Sequence, residues 1–419
     1  MKTQYQTIIL LLISIMSSSL AQGISIIAIP WYFTDTLQQS SRFAFGYSLI
    51  TFIGLFWGLY AGFMIDNFNR KKILLYINIL SSLIFCFITI SLKMHYNPSS
   101  IIILLGFGSC SLYYIIFFPN FYAIIQELTK KTDYVKVNSL VELFLQFINI
   151  FGAATCAFLL ADSNDFFNYF NINSVRLPKW EIENIFLLNS ILFLITFILI
   201  TFIKYSPKKK PNYHHSISQI FMEIKTGVQF LIDKKTILIY GICSQIVFAF
   251  LIVELFALLP LFVKNCLNES IITFSLADLT YSIGALLAGF FTTIALKKIN
   301  KIWLTILLII VTIIGFILMI TFWNLNIFFT SSFIIGVTNA SIRITRMSYL
   351  FEKIPNNLIG RTNTVFNSIN TIIRVFLILI VSLNWFSEST NVIYGYRIGI
   401  YVLMIFMIPL IWINKKQLN

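Results

Sequence analysis

The stretch GFMIDNFNRKK, residues 62–72, is short and charged, and it separates two long apolar segments of the chain. A similar stretch, GFFTTIALKK, occupies residues 289–298, so Gly62 and the pair Arg70-Lys71 return 227 residues later as Gly289 and Lys297-Lys298. A second set returns after 225 positions: Glu127, Lys136 and Asn138 recur as Glu352, Arg361 and Asn363. This repetition predicts a polytopic membrane protein built from two similar halves, an architecture typical of transporters.

Composition places most of the chain in a bilayer. The 419 residues are 58% hydrophobic and only 11% charged, with a mean hydropathy of +0.86, whereas a soluble domain carries roughly 25% charged residues. The net charge of +14 is spread over the loops, so it indicates membrane topology and not a nucleic-acid surface. The five cysteines form no C-x-x-C pair, and we predict no metal site and no cofactor.

Twelve apolar runs are long enough to cross a hydrocarbon core about 30 Å thick. They fall near residues 8–33, 43–65, 73–92, 99–125, 137–161, 185–203, 236–263, 271–296, 302–323, 326–350, 362–385 and 394–413. The first run exceeds a signal-peptide core, so we interpret it as an uncleaved membrane helix. The predicted fold class is therefore an all-α polytopic membrane protein, with twelve transmembrane helices in two pseudo-symmetric six-helix bundles.

The connections alternate in charge, and most of the 30 basic residues fall on one side of the membrane. The positive-inside rule then places both termini in the cytoplasm. We predict an N-terminal six-helix bundle over residues 1–204, a cytoplasmic linker over 205–235 and a C-terminal six-helix bundle over 236–419. Within the linker, residues 217–232 have the periodicity of an amphipathic helix on the inner membrane surface.

Charged residues embedded in the interiors of the predicted spans are few, and each needs a pathway, a partner or a cavity. They are Glu142, Glu254, Asp278, Arg343, Arg346 and Arg374. The interiors of every third span (73–92, 185–203, 302–323 and 394–413) carry none, which predicts lipid-facing support helices and eight cavity-lining ones. Gln245 and Glu254 are nine residues apart, so they lie on opposite faces unless their helix is broken.

Polar residues also form stripes along helix faces. One stripe holds Asn363, Asn367, Asn370 and Arg374, another holds Asn339, Arg343 and Arg346, and a third in the first span holds Ser14, Ser18, Gln22 and Ser25. Such residues either pack helices through hydrogen bonds or line a substrate site. The substrate-binding candidates are Gln22, Asn339, Arg343, Asn367, Asn370 and Arg374, and the proton-coupling candidates are Glu142, Glu254 and Asp278.

Residues 62–72 resemble the signature loop of the major facilitator superfamily, which runs Gly, three residues, Asp, a basic residue, any residue, Gly and two basic residues. Gly62, Asp66, Arg70 and Lys71 match this pattern, whereas asparagines stand at positions 67 and 69. The resemblance implies that the aspartate and its basic neighbours form a cytoplasmic latch. We assign Gly62, Asp66, Arg70, Lys71, Glu127, Lys136, Glu352 and Arg361 to this gate.

The resemblance covers nearly the whole chain and looks closest to the branch of the enterobactin exporter and related bacterial efflux proteins. Three stretches carry it: IAIPWY at residues 27–32, QELTKKTDYVKVN at 126–138 and IPNNLIGR at 354–361. Drug antiporters of the superfamily have a Gly-Pro motif in the fifth helix, and here Gly152 is followed by Ala153.

The leading hypothesis is a proton-coupled antiporter that exports a small organic molecule, siderophore-like or drug-like, by alternating access. Its expected partners are this solute, protons and the lipid bilayer, with no nucleic acid, and we expect a monomer in the bacterial inner membrane. When substrate is absent, Arg374 is expected to pair with Asp278 or Glu254. One alternative is proton-coupled uptake of a small anionic solute on the same fold. A membrane-embedded transferase is a remote alternative, and the leading hypothesis is that the protein is not an enzyme.

The predicted topology can be tested with a single-cysteine reporter. A cysteine introduced by Ser206→Cys in a cysteine-free background should react with an impermeant maleimide only in inverted vesicles, because that linker is predicted to be cytoplasmic. A cysteine introduced by Ser387→Cys should react from outside intact cells. Labelling of the first variant in intact cells would contradict this topology.

Overall fold

In the computed structural model, residues 2–94, 99–129, 134–161, 179–205, 217–355 and 358–418 are described. Within those residues every regular element is a helix. In chain order the helices are α1 (Lys2–Asp35), α2 (Ser40–Asn67), α3 (Arg70–Met94), α4 (Ser100–Leu128), α5 (Tyr134–Leu160), α6 (Ile182–Thr201), α7 (Ile217–Asp233), α8 (Lys235–Asn265), α9 (Ile271–Ala295), α10 (Lys301–Thr321), α11 (Leu325–Lys353), α12 (Ile359–Val381), α13 (Asn384–Ser387) and α14 (Val392–Leu418).

Eleven of these helices are long and apolar enough to cross a membrane, counted over the described residues. Helix α5 occupies the remaining predicted span, and its apolar part Ile150–Leu160 falls short of that length among the residues searched. A helix satisfies every backbone hydrogen bond within its own segment, which is what a chain needs in hydrocarbon. The all-α polytopic class is therefore confirmed.

The helices form two compact units. The first consists of Met1–Gln38 and Ile53–Ser216, and the second of Gln39–Phe52 and Ile217–Asn419. The start of α2 thus belongs to the second unit, where Tyr47 lies with its ring centroid 4.9 Å from that of Phe256. The predicted boundaries at 204 and 236 stay predictions.

The predicted amphipathic segment of the linker is helix α7, and it packs against the start of α12 in the second unit. Thr226 accepts a hydrogen bond from Arg361 Nη1 at 3.4 Å. The next residue, Gly227, lies so close to the Arg361 backbone that an added Cβ would be 3.1 Å from the Arg361 carbonyl oxygen. The first turn of α12 therefore rests on α7.

Helices α9 and α11 approach each other closely in the second unit. A Cβ at Gly284 would lie 2.2 Å from the carbonyl oxygen of Phe333, and one at Gly336 would lie 2.1 Å from that of Tyr281. Small residues at such crossings let two backbones pack without an intervening side chain. This contact fixes the polar residues that both helices carry, as described below.

Gly284→Ala should destabilise the protein by about 1–3 kcal/mol, because the new methyl group meets a backbone atom that cannot rotate away. The thermal unfolding midpoint in detergent should fall by several degrees. Gly289→Ala, on the same helix with open space around its Cβ position, is the matched control and should leave the midpoint unchanged or slightly higher. Equal midpoints for both variants would contradict the tight α9–α11 contact.

Candidate functional site

Helix α8 is interrupted twice along its length. Regular α-helix covers Lys235–Ser244, Ile246–Val253 and Leu259–Asn265, and a π-helical turn covers Glu254–Leu258. Pro260 supplies the reason for the second interruption, because it has no N–H to donate to the preceding turn. The Leu259 N–H donates instead to the Glu254 carbonyl, five residues back. Such π-turns occur frequently at functional sites.

The first interruption lies at Gln245. Its carbonyl accepts the Ala249 N–H at 3.0 Å and also the side-chain amide of Asn370, which donates from Nδ2 at 3.0 Å. The predicted opposition of Gln245 and Glu254 assumed a regular helix, and α8 is not regular between them. Gln245 Oε1 is buried without a hydrogen-bond partner among the described residues.

Glu254 is held by a tyrosine of the last membrane helix. The Tyr396 hydroxyl donates to Glu254 Oε1 at 3.0 Å, and the two residues are 0% and 7% exposed, respectively. Glycines flank this contact: a Cβ at Gly395 would lie 2.6 Å from Leu258, and one at Gly399 would lie 1.9 Å from the Phe250 ring. The close approach of α14 to α8 therefore brings a neutral donor to a buried acid.

A second polar contact joins α9 and α11. Asn339 Nδ2 donates to the Tyr281 hydroxyl at 2.6 Å. Arg343 lies one turn beyond Asn339 and interacts electrostatically with Tyr281, and the Asp278 carboxyl lies near enough to Glu254 to repel its charge. We call Glu254, Asp278, Tyr281, Asn339, Arg343 and Tyr396 the C-terminal polar cluster.

The stripe on α12 lies partly outside this cluster. Asn370 is buried and donates to the Gln245 backbone, whereas the Asn367 side chain is exposed. Arg374 Nη2 donates to Thr371 Oγ1 at 3.1 Å, and Arg374 Nε is buried with no hydrogen-bond partner among the described residues. Tyr47 of α2 lies close to this guanidinium.

The expected pairing of Arg374 with Asp278 or Glu254 is wrong for this conformation. No ion pair among the described residues joins these groups. Glu254 instead accepts the hydrogen bond from α14.

Within the apolar interior of the first unit, two described polar contacts between helices join neutral groups. Asn189 Nδ2 donates to Ser25 Oγ at 2.7 Å, and Tyr113 donates to Asn78 Oδ1 at 2.9 Å. Gln22 is half-buried on α1. The side chain of Glu142 lies outside the described part of the structure.

The spans without interior charges still contain buried polar side chains, and their predicted lipid-facing support role stays a prediction. Asn78 on α3, Asn189 on α6 and Tyr396 on α14 are all buried, and each one hydrogen-bonds a neighbouring helix.

Two of the predicted gate residues of the first unit, Arg70 and Glu127, pair at one end of its helices. Arg70 Nη1 donates to Glu127 Oε1 at 2.7 Å, and the Tyr205 hydroxyl donates to the other carboxylate oxygen. Burial and the neighbouring Glu127 carboxylate raise the pKa of Tyr205, so this phenol stays protonated as a donor. Lys71 Nζ donates to the carbonyls of Thr201 and Ile203 at 2.9 and 2.7 Å, which satisfies the end of α6.

The second unit has a similar ion pair at a shifted position. Glu352 accepts hydrogen bonds from Lys301 Nζ at 2.5 Å and from Lys353 Nζ at 3.1 Å. Lys301 opens α10 as Arg70 opens α3, so Lys301 and not the predicted Lys297-Lys298 pair is the structural counterpart of Arg70. The side chains of Asp66 and Lys136 lie outside the described residues.

Tyr281 and Tyr396 were not predicted as site residues. In an apolar run a tyrosine resembles a core aromatic, and only its hydroxyl distinguishes it. Two features of the sequence could have indicated them: Tyr281 follows Asp278 by three residues, and Tyr396 stands between Gly395 and Gly399.

Known transporters share this architecture. The pattern of the Major Facilitator Superfamily matches residues 11–378. The nucleoside transporter NupG aligns with a TM-score of 0.71 at 13% identity, covering 99% of this chain and 100% of that one. A D-xylose-proton symporter aligns with a TM-score of 0.65 at 14% identity, covering 95% and 96%. A bacterial homologue of the human lysosomal transporter Spinster aligns with a TM-score of 0.68 at 12% identity, covering 99% and 97%.

At these identities the likeness shows the fold, and it confirms the predicted pair of pseudo-symmetric six-helix bundles. No curated protein sequence matches this chain closely enough to count as a relative. The family pattern covers most of the chain, and the structural neighbours are transporters. This chain therefore belongs to the Major Facilitator Superfamily and is a transporter, not an enzyme.

Proposed function

We propose that this protein is a proton-coupled antiporter that exports a small organic anion across a bacterial cytoplasmic membrane. The observation that carries the proposal lies in the second unit: the buried Glu254 carboxyl accepts a hydrogen bond from Tyr396, while Arg374 has no ion pair with any described acid. One bundle thus holds groups that can exchange a proton and a cation that can receive an anion. Monomeric function and cytoplasmic termini are part of the proposal.

The proton side of the cycle would be carried by Glu254 and Asp278, with Glu142 as the candidate of the first unit. An ionised carboxylate is costly to bury in a membrane bundle. Tyr396 offers Glu254 one hydrogen bond, which a protonated acid can accept as well as an ionised one. Loss of the proton would therefore favour a state in which the acid meets water, and this preference couples protonation to the transport cycle.

The substrate side would be carried by Arg374 and Arg343. A guanidinium stays charged and presents a planar fork that suits a carboxylate. Asn339, Asn367 and Gln22 complete the proposed site. The contact of Asn370 with the Gln245 carbonyl supports a positioning role, because it ties the Arg374 helix to the broken helix α8.

The direction of transport rests on the resemblance to the enterobactin-exporter branch. A second candidate is proton-coupled uptake, which is favoured by the fold shared with a protein named a D-xylose-proton symporter. The gate would be the same in both cases. The Arg70–Glu127 and Lys301–Glu352 pairs, with Asp66, Lys71, Lys136, Arg361 and Gly62, would hold the cytoplasmic ends of the helices in one state.

Solute-driven proton movement in proteoliposomes tests the proposal and separates its two directions. With a trapped pH dye, external 2,3-dihydroxybenzoate or citrate should drive protons out of the vesicles as the anion enters, because antiport moves the two species oppositely. Uptake by symport would move protons inward with the anion. The neutral solutes xylose and uridine serve as controls, and proton flux with them but not with anions would overturn the proposed substrate class.

The Glu254–Tyr396 contact should be required for coupling more than for folding. Glu254→Gln should abolish solute-driven proton flux while solute counterflow persists, because the amide cannot release a proton. Tyr396→Phe should slow the flux about fivefold, because it removes one hydrogen bond worth about 1 kcal/mol. Tyr401→Phe is the control, since that tyrosine of the same helix is 60% exposed. Full coupling in Glu254→Gln would remove Glu254 from the proton path.

A further inference from the structure

We propose that Arg343 and Arg346 of α11 form a second anion subsite, separate from Arg374, and that the substrate therefore carries at least two acidic groups. The inference deepens the proposed function and rests on it. Arg346 has no role in the proton or substrate sites described above, although it is one of the six charged residues predicted in the interiors of the spans.

The two arginines form a like-charge pair inside a membrane helix. They are three residues apart, so their side chains share a face of α11 and repel each other. Arg346 Nε is buried and has no hydrogen-bond partner among the described residues. Arg343 is exposed, so the cost of a charge without a counterion falls on Arg346, whose Nε is buried. An anion held between the two guanidinium groups would remove that cost and their mutual repulsion.

The acids of the second unit do not provide that compensation. Glu352, on the same helix, is already shared by Lys301 at 2.5 Å and Lys353 at 3.1 Å. Glu254 is bound to Tyr396. Among the described residues, no carboxylate lies within ion-pair distance of Arg343 or Arg346.

The surroundings of Arg346 are neutral and aromatic. Tyr240 lies beside it, with its ring centroid 4.1 Å from that of Tyr349. The Tyr240 hydroxyl is hydrogen-bonded to Thr305 at 3.0 Å, and no described hydrogen bond joins it to the Arg346 guanidinium. Two guanidinium forks beside an aromatic wall suit a carboxylate or phosphate group, which can accept paired N–H donors.

This subsite and Arg374 lie at different depths. Arg346 is seven residues from the end of α11 at Lys353, or about 10 Å along the axis, and Arg374 is fifteen residues from the start of α12 at Ile359, or about 22 Å. The link between these ends is only five residues, so both distances start from the same side of the membrane. One small monoacid cannot meet Arg346 and Arg374 at once, so a substrate that uses both would need a separate acidic group for each.

Thermal stabilisation by simple anions tests the inference on the purified full chain in phosphatidylcholine nanodiscs. Citrate, succinate and propionate carry three, two and one carboxylates. Citrate should half-saturate the stabilisation at a concentration at least tenfold lower than propionate. Arg346→Gln should reduce citrate to the level of propionate and leave propionate unchanged, since a monoacid can still use Arg374.

Arg397→Gln is the matched control, because it removes an exposed arginine of the same unit that lies over the Tyr394 ring. If Arg346→Gln does not fold, Arg346→Lys keeps the charge but loses the fork, and its citrate response should weaken about tenfold. Equal citrate binding in the wild type and the folded Arg346 variant would overturn the subsite.

A lipid phosphate could occupy the same pair of arginines, and a change of bilayer distinguishes it from a soluble anion. The measurement is therefore repeated in nanodiscs of phosphatidylglycerol. A lipid phosphate is the ligand if citrate no longer stabilises the protein in this bilayer, and if the bilayer itself stabilises the wild type but not the Arg346 variant. That result would overturn the substrate assignment.

Proton flux distinguishes failure of the subsite from failure of the proposed function. Anion-driven flux that persists unchanged in Arg346→Gln would defeat the subsite and leave the proposed function standing. Absence of flux with every anion, together with normal citrate stabilisation, would defeat the proposed function alone.

Discussion

A carboxyl group placed inside a membrane bundle needs either a hydrogen-bond donor or a route to water, and Glu254 is the residue on which this requirement falls most heavily. Its donor comes from α14, a helix without any charge in its apolar interior. That helix can reach Glu254 because Gly395 and Gly399 remove the side chains that would keep the backbones apart. The π-turn at Glu254 and the glycines of α14 are thus two parts of one arrangement.

The two repeats carry different chemistry on the same helical frame. In the first unit the described internal contacts join asparagine, serine and tyrosine, whereas the span interiors of the second unit contain two acids and three arginines. Helix positions are set by apolar packing and small residues, and these tolerate exchange of polar groups along the inner face. Duplication can therefore preserve the frame while one half specialises in charge.

The fold was predictable because three independent signals indicate it: hydropathy indicates the spans, loop charge indicates their orientation, and the repeat spacing indicates two similar halves. The acids and arginines of the second unit were predictable as well, since a charged residue in an apolar run is visible in the sequence. The interruptions of α8 were harder to foresee. Pro260 indicates a disturbance, but the choice between a kink and a π-turn depends on neighbouring helices.

The hydrogen-bond partners of the predicted residues were the hardest feature to predict. The sequence suggested an arginine for Glu254, and the structure provides Tyr396. The repeat offset likewise suggested Lys297-Lys298 as the counterpart of Arg70, but Lys301 opens α10 and binds Glu352. Both errors arise because side-chain pairing depends on where helices begin and on how closely they cross. The spacing of residues along the sequence does not determine either of these.

The separation of acids from arginines has a consequence for how such a bundle could work. An internal Arg–carboxylate pair would satisfy both charges and would have to be broken at each turnover, at a cost of several kcal/mol. Here Glu254 accepts a hydrogen bond from the neutral Tyr396 phenol, and the Arg374 Nε–H has no hydrogen-bond partner among the described residues. Proton and anion could then bind to separate groups, and their coupling would come from the shared conformation of α8, α11 and α12. The Asn370 contact with the broken backbone at Gln245 supplies one physical link in that conformation.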